Sequence, residues 1–167
     1  MALALAGCGW HAGLTPPAKL KARTIGVEVV TRAADVLERD LEPEFSDALS
    51  RAVSDLVGLP LERPSRADLI VRGEITGYRR RGGVRSVQNQ LLETAIQVEV
   101  KASLLDRRRG TIEKEAFEGA WTGYAVGNPA EEQGAQERSL RYLAETLVLE
   151  LFQQGPKIDQ NLGESPE

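Results

Sequence analysis

The sequence predicts an α+β fold: a two-layer sandwich of about four mostly antiparallel strands with two helices packed on one face. Three observations predict it. Residues 92–105 alternate, with Leu92, Ile96, Val98, Val100, Ala102 and Leu104 on one parity and Glu93, Gln97, Glu99, Lys101 and Ser103 on the other. A period of two sends these sets to opposite faces of a strand, one buried and one wet. Two other stretches carry apolar residues at helical three-and-four spacing. If the wet parity stays exposed, both helices must share the apolar face.

The elements follow in chain order. Residues 24–30 alternate, with Ile25, Val27 and Val29 on one side, and predict a first strand. Residues 31–40 are a polar connection. Glu42-Pro43 opens a helix, because proline is pre-shaped for the first helical position. Phe45, Leu49, Val53 and Leu56, with Ala48 and Ala52 beside them, form its apolar stripe, and Gly58 is expected to stop it in a left-handed conformation. Residues 59–63 suggest a short strand and 63–67 a turn. Residues 68–78 predict the next strand through Leu69, Val71, Gly73 and Ile75, with Gly73 and Gly77 marking a bulge or a close neighbour.

Arg79, Arg80, Arg81, Gly82, Gly83, Val84 and Arg85 are expected to form a hairpin into the long strand, with residues 86–90 as loop. At about 3.3 Å per residue, the strand at 92–105 far exceeds the usual length of about 5–6 residues. Asp106, Arg107, Arg108, Arg109 and Gly110 make a second basic turn. Residues 111–122 run back as its partner strand, where Ile112, Ala116 and Phe117 break parity and predict a bulge. Asn128-Pro129 caps the second helix. Ala135, Leu140, Leu143, Ala144, Leu147, Val148 and Leu151 form its apolar face, and it ends near residues 152–154. The chain therefore divides into an anchor and extended leader (1–23), a sandwich domain (24–154) and a polar tail expected to be disordered (155–167).

At 167 residues, 41% hydrophobic and 28% charged, the chain suits one globular domain with a real core. A net charge of −4 argues against nucleic acid as a partner. The single cysteine, Cys8, and single histidine, His11, leave no internal disulfide and no Cys/His metal set. No apolar run is long enough to span a bilayer. Neither a phosphate-binding Walker loop nor a dinucleotide fingerprint is present. His11 and Cys8 lie outside the predicted domain, so no catalytic triad can be assembled from them. Glu93, Glu99, Glu113, Glu115 and Glu118 fall on strand faces, where solubility and pairing with Lys101 or Lys114 account for them. The expectation is a protein that is not an enzyme and needs no cofactor.

Two features carry functional information. Leu5-Ala6-Gly7-Cys8 has the form of a bacterial lipobox, in which Cys8 becomes the lipid attachment point. The apolar segment before it is short and lacks Lys or Arg, which points to a longer precursor. An Ala-rich start produces such a run by chance as readily, and these residues alone do not choose. The second feature is arginine: Arg79, Arg80, Arg81 and Arg85 in one turn, and Arg107, Arg108 and Arg109 in another. Guanidinium groups grip phosphate through paired hydrogen bonds; like charges at strand ends also block edge aggregation. The turns flank one strand, so they are expected at opposite ends of the ribbon, as two sites.

From Cys8-Gly9-Trp10-His11 onward, the chain resembles the lipopolysaccharide-assembly lipoprotein family, LptE. Thr24-Ile25-Gly26-Val27, Ala67-Asp68-Leu69-Ile70-Val71-Arg72-Gly73-Glu74-Ile75-Thr76-Gly77-Tyr78 and Leu104-Leu105-Asp106-Arg107-Arg108-Arg109-Gly110 carry the resemblance, which extends to Phe152. It implies a lipoprotein held by acylated Cys8 in the outer membrane, on its periplasmic face. It further implies a plug for the lumen of the LptD β-barrel that assists the barrel's assembly and binds lipopolysaccharide during export. Lipopolysaccharide phosphates would suit Arg79, Arg80, Arg81 and Arg85. Two alternatives stand beside it: a lipoprotein subunit of another envelope secretion complex, of the curli type, and a small cytosolic enzyme.

Overall fold

A computed structural model describes residues 14–16, 20–33 and 41–153. Among these residues the chain forms β1 (Ile25–Arg32), α1 (Leu41–Leu56), β2 (Leu69–Arg81), β3 (Glu93–Asp106), β4 (Thr111–Ala125) and α2 (Pro129–Phe152). The strands stand side by side in sequence order. β1 lies parallel to β2, with α1 as the crossover such a pair requires. β2–β3 and β3–β4 are antiparallel. Both helices pack on the same face of the sheet and against each other. The structure is thus the predicted two-layer α+β sandwich with a mostly antiparallel sheet.

The alternation in β3 sets the layers. Ile96, Val98, Val100, Ala102 and Leu104 are buried beneath the helices, while Gln97, Glu99 and Lys101 face the open side. α1 buries Leu41, Phe45, Leu49, Ala52 and Val53. It comes close to β2 because Gly73 has no side chain: a Cβ there would lie 2.9 Å from Val30 Cγ2 and 3.1 Å from Leu49 Cδ2. α2 begins at Asn128, whose side chain accepts from the Ala130 N–H at 3.1 Å. Its last turn contains no basic residue. Lys114 of β4 supplies one instead, its Nζ donating to the carbonyls of Glu150 and Gln153. There it satisfies free carbonyls and opposes the negative end of the helix dipole.

Several boundaries differ from expectation. β1 continues through Thr31 and Arg32, two residues assigned to the polar connection. Residues 59–63 form no strand; Leu61 makes a single bridge to Ile25. Gly58 is not left-handed, since among described glycines only Gly110 and Gly127 have positive φ. Its N–H instead donates to Leu14 O at 3.0 Å, and Leu14 N donates to Leu56 O at 2.5 Å. The leader therefore closes the end of α1, and Leu20 enters the core. The bulge expected in β4 is present at Glu113, where the pairing steps from Leu104↔Lys114 to Leu105↔Ile112. β4 then runs to Ala125, beyond the expected 122. Leu92 precedes β3 and is half exposed. Residues 1–13 and 154–167, with Cys8, His11 and the polar tail, lie outside the described residues.

Candidate functional site: the open face of the sheet

The main correction concerns Arg79, Arg80 and Arg81. They are not a hairpin tip but the last three residues of β2, paired with Gln97, Ile96 and Ala95. The pairing slips between Ile75 and Gly77, leaving Thr76 as an extra residue. A one-residue bulge exchanges the faces of everything beyond it. Without it Arg79 and Arg81 would continue the buried parity of Val71, Gly73 and Ile75. With it they face the open side, and Tyr78 and Arg80 turn towards the helices. Gly77 leaves room for Glu99 of β3 beside the bulge: a Cβ there would lie 3.3 Å from Glu99 Cβ and 2.9 Å from its flexible Oε2.

The three guanidinium groups are therefore split. Arg80 Nε is 2.7 Å from Glu132 Oε1 of α2, and its guanidinium lies 5.6 Å from the Tyr78 ring centre. Tyr124 joins this group. Burial pushes its hydroxyl pKa up, the nearby Glu132 carboxylate adds to the rise, and Arg80 opposes it. A phenol held protonated in this way is a hydrogen-bond donor, not a base. Arg80, Tyr124 and Glu132 border a groove of about 510 Å³ between the ends of β2 and β4 and the start of α2, with Arg81, Thr94 and Asn128 also on its wall. Arg85 is engaged within its own loop, donating to Asn89 O at 3.0 Å.

Arg79 and Arg81 are exposed on the open face at the end of β2. Arg81 lies 5.3 Å from the Trp121 ring centre, within cation–π range. Trp121 and Phe117 are 59% and 63% exposed, on the same face of β4. Lys101 sits 5.1 Å from the Phe117 ring and 2.6 Å from Glu115. That lysine, hydrogen-bonded to the Glu115 carboxylate, holds its pKa below the ordinary glutamate range. Gln97 donates to Glu99 at 2.7 Å and Arg72 pairs with Glu28 at 2.5 Å. The result is a largely polar surface with two aromatic rings at its β4 margin. Trp121 was not expected from the sequence. Its signal was present in Phe117, Gly119, Trp121 and Gly123, alternate residues that share one face.

The second arginine group sits at the opposite end of β3, roughly 40 Å away at about 3.3 Å per residue. It is occupied structurally. Arg107 Nε donates to Ala67 O at 2.5 Å, and Arg108 donates to Leu20 O at 3.1 Å. Arg109 lies 3.6 Å from buried Asp106, which also accepts the N–H groups of Arg108 and Arg109. This turn ties the leader and the start of β2 to the ribbon.

Asp68 belongs to that junction. The Arg23 N–H, donating to it at 2.8 Å, holds its carboxyl below the ordinary aspartate range; Arg108 assists and partial burial opposes. A carboxyl depressed by folding stabilises the fold above its unfolded pKa, and the contribution disappears as pH falls through the lower folded value. Asp68→Asn should therefore flatten the loss of stability below about pH 4, measured by denaturant midpoints across pH. An unchanged acid limb would contradict this.

No group of three or more His, Cys, Asp or Glu among the described residues could hold a metal ion, and no described helix is long and apolar enough to cross a membrane. No family model matches the sequence, and no curated protein does. Solved structures share the fold. A Xanthomonas campestris protein of the DUF330 family has a TM-score of 0.59 at 13% identity, over 78% of this chain and 83% of that one. An uncharacterized lipoprotein B from Nitrosomonas europaea has a TM-score of 0.52 at 13% identity, over 91% of both chains. A PelC dodecamer from Paraburkholderia phytofirmans has a TM-score of 0.50 at 12% identity, over 76% of this chain and 87% of that one. At these identities the likeness establishes a common fold, one that bacterial lipoproteins use.

Proposed function

We propose that this chain is a non-catalytic envelope lipoprotein, tethered through acylated Cys8 to the outer membrane on its periplasmic side. Its open sheet face docks within an LptD-type β-barrel, assists that barrel's assembly and contacts lipopolysaccharide during export. The observation that carries this reading is the uncovered polar face of a long, stiff ribbon. A protein that fills a water-lined barrel needs a hydrophilic contact surface on a rigid support. The lipobox before Cys8, the resemblance to LptE and the shared fold with a lipoprotein support the tether.

Arg79 and Arg81 are the residues that would meet lipopolysaccharide phosphate, with Arg81 braced on Trp121. Arg80 and Arg85 are engaged elsewhere. The double variant Arg79→Ala/Arg81→Ala should weaken binding to immobilised lipopolysaccharide at least about tenfold, because losing even one charged hydrogen bond costs about 1.5–3 kcal/mol. Arg80→Ala should leave that affinity unchanged. Undiminished affinity in the folded double variant would defeat the ligand assignment.

The fold shared with a dodecameric protein favours a second reading, a subunit of another multi-copy envelope secretion complex. Affinity purification from detergent-solubilised envelopes separates the two: a large β-barrel in the eluate supports the first, and a ring of this chain alone supports the second.

A further inference from the structure

We infer that the free edge of β4 is a self-association surface on which a second copy of this chain pairs its own β4, antiparallel, about a two-fold axis at Gly119. This needs neither lipid nor barrel and stands apart from the reading above.

The backbone supplies the first argument. Val126 N donates to Leu92 O at 2.9 Å and continues the register in which Thr94 faces Tyr124. Alternate residues of an antiparallel strand bond to one side, and those between them point to the other. Tyr124, Thr122, Ala120 and Glu118 therefore bond to β3. Phe117, Gly119, Trp121 and Gly123 turn their N–H and C=O groups outward, where the sheet order places no further strand.

The second argument is the lack of protection. Long edge strands are normally blunted by proline, charged side chains, bulges or shortness. β4 has 15 residues and no proline. Its one lysine, Lys114, is committed to the end of α2, Glu115 is paired with Lys101 of β3, and its bulge lies at the far end, at Glu113. Between residues 119 and 125 it carries no charge at all.

The two edges of the sheet differ in what they can pair with. The other edge, β1, has 8 residues, and its first is already bonded: Ile25 N donates to Pro60 O at 3.1 Å and its O accepts from Glu62 N at 2.7 Å. Among the edges of the described sheet, only another β4 matches it in length. β4 is also self-complementary. With the axis at Gly119, Phe117 faces Trp121 of the second copy, twice over. Glu115 faces Gly123, Glu118 faces Ala120, Ala116 faces Thr122 and Lys114 faces Tyr124. No like charges oppose, and facing aromatic pairs stabilise antiparallel strands. Moving the axis to Glu118 would set two carboxylates against each other. On the helix side, a groove of about 510 Å³ runs beside Gly119, Ala120 and Thr122 and is walled by Arg138 and Tyr142. The second copy's α2 would cover it.

Sedimentation velocity on the full chain carrying Cys8→Ser, which removes acyl and disulfide links, tests this. A concentration-dependent dimer is expected. Gly119→Lys and Gly119→Glu should each fold normally, since a Cβ there meets its nearest described neighbour, Glu99 Cγ, at 3.7 Å. Each should weaken the dimer about tenfold, because like charges would meet at the axis. Mixing the two should restore it. Trp121→Ala should also weaken association without altering the circular dichroism of the fold. A protein that stays monomeric at all concentrations would overturn the inference. So would charged variants that dimerise like the parent, a mixture no tighter than its components, or a Trp121→Ala dimer of parental strength.

Discussion

Cys8→Ser should abolish palmitate labelling and, in cells lacking the partner barrel, move the protein from the membrane fraction to the soluble fraction. One acyl chain gives only marginal binding, at about 10⁴ M⁻¹, whereas two or three hold a protein at the bilayer. No described helix is long and apolar enough to span a membrane. Labelling with a palmitate analogue, followed by fractionation, is the measurement. A serine variant that keeps its label, or that stays with the membrane in cells lacking the barrel, would remove Cys8 from the account.

The second large effect is on the fold. Phe45→Ala should cost about 3–5 kcal/mol, the range for truncating a buried phenylalanine. Phe45 is fully buried in α1, and its ring edge lies over Gly73 of β2, within 3.4 Å of where a Cβ would stand. α1 is already close to the sheet there, so the helix cannot sink further to fill the void. The denaturation midpoint should fall by roughly 10 °C, at about 2–4 °C per kcal/mol for a chain of this size. A shift within a degree or two would mean that α1 does not cover β2 in solution.

The layer arrangement was legible because it follows from periodicity. Leu104 back to Ile96 specifies a buried face by alternation, and the stripe Phe45, Leu49, Val53 specifies the helix above it. Neither depends on long-range detail. The end of β2 was not legible in the same way. Arginine and glycine are weak strand signals, so residues 79–83 looked like a turn, and one extra residue at Thr76 decides which arginines face outward. Gly77 marked the place without giving the outcome. The second arginine turn was legible as a turn. Its role was not, because Leu20 O, Ala67 O and Asp68, which engage Arg107 and Arg108, are distant in sequence. Trp121 was overlooked because β4 changes parity at Glu113, and a single alternation count across that bulge misassigns both faces.

The account depends on the open sheet face being the surface that meets a larger envelope partner. Site-specific photo-crosslinking in living cells tests this most directly, with the probe placed at Gln97 on that face or at Arg141 on α2, followed by identification of the adducts. The account predicts that Gln97 crosslinks to a β-barrel outer-membrane protein and Arg141 does not. Adducts to a barrel from Arg141 alone, or none from Gln97 in membrane-anchored protein, would contradict it.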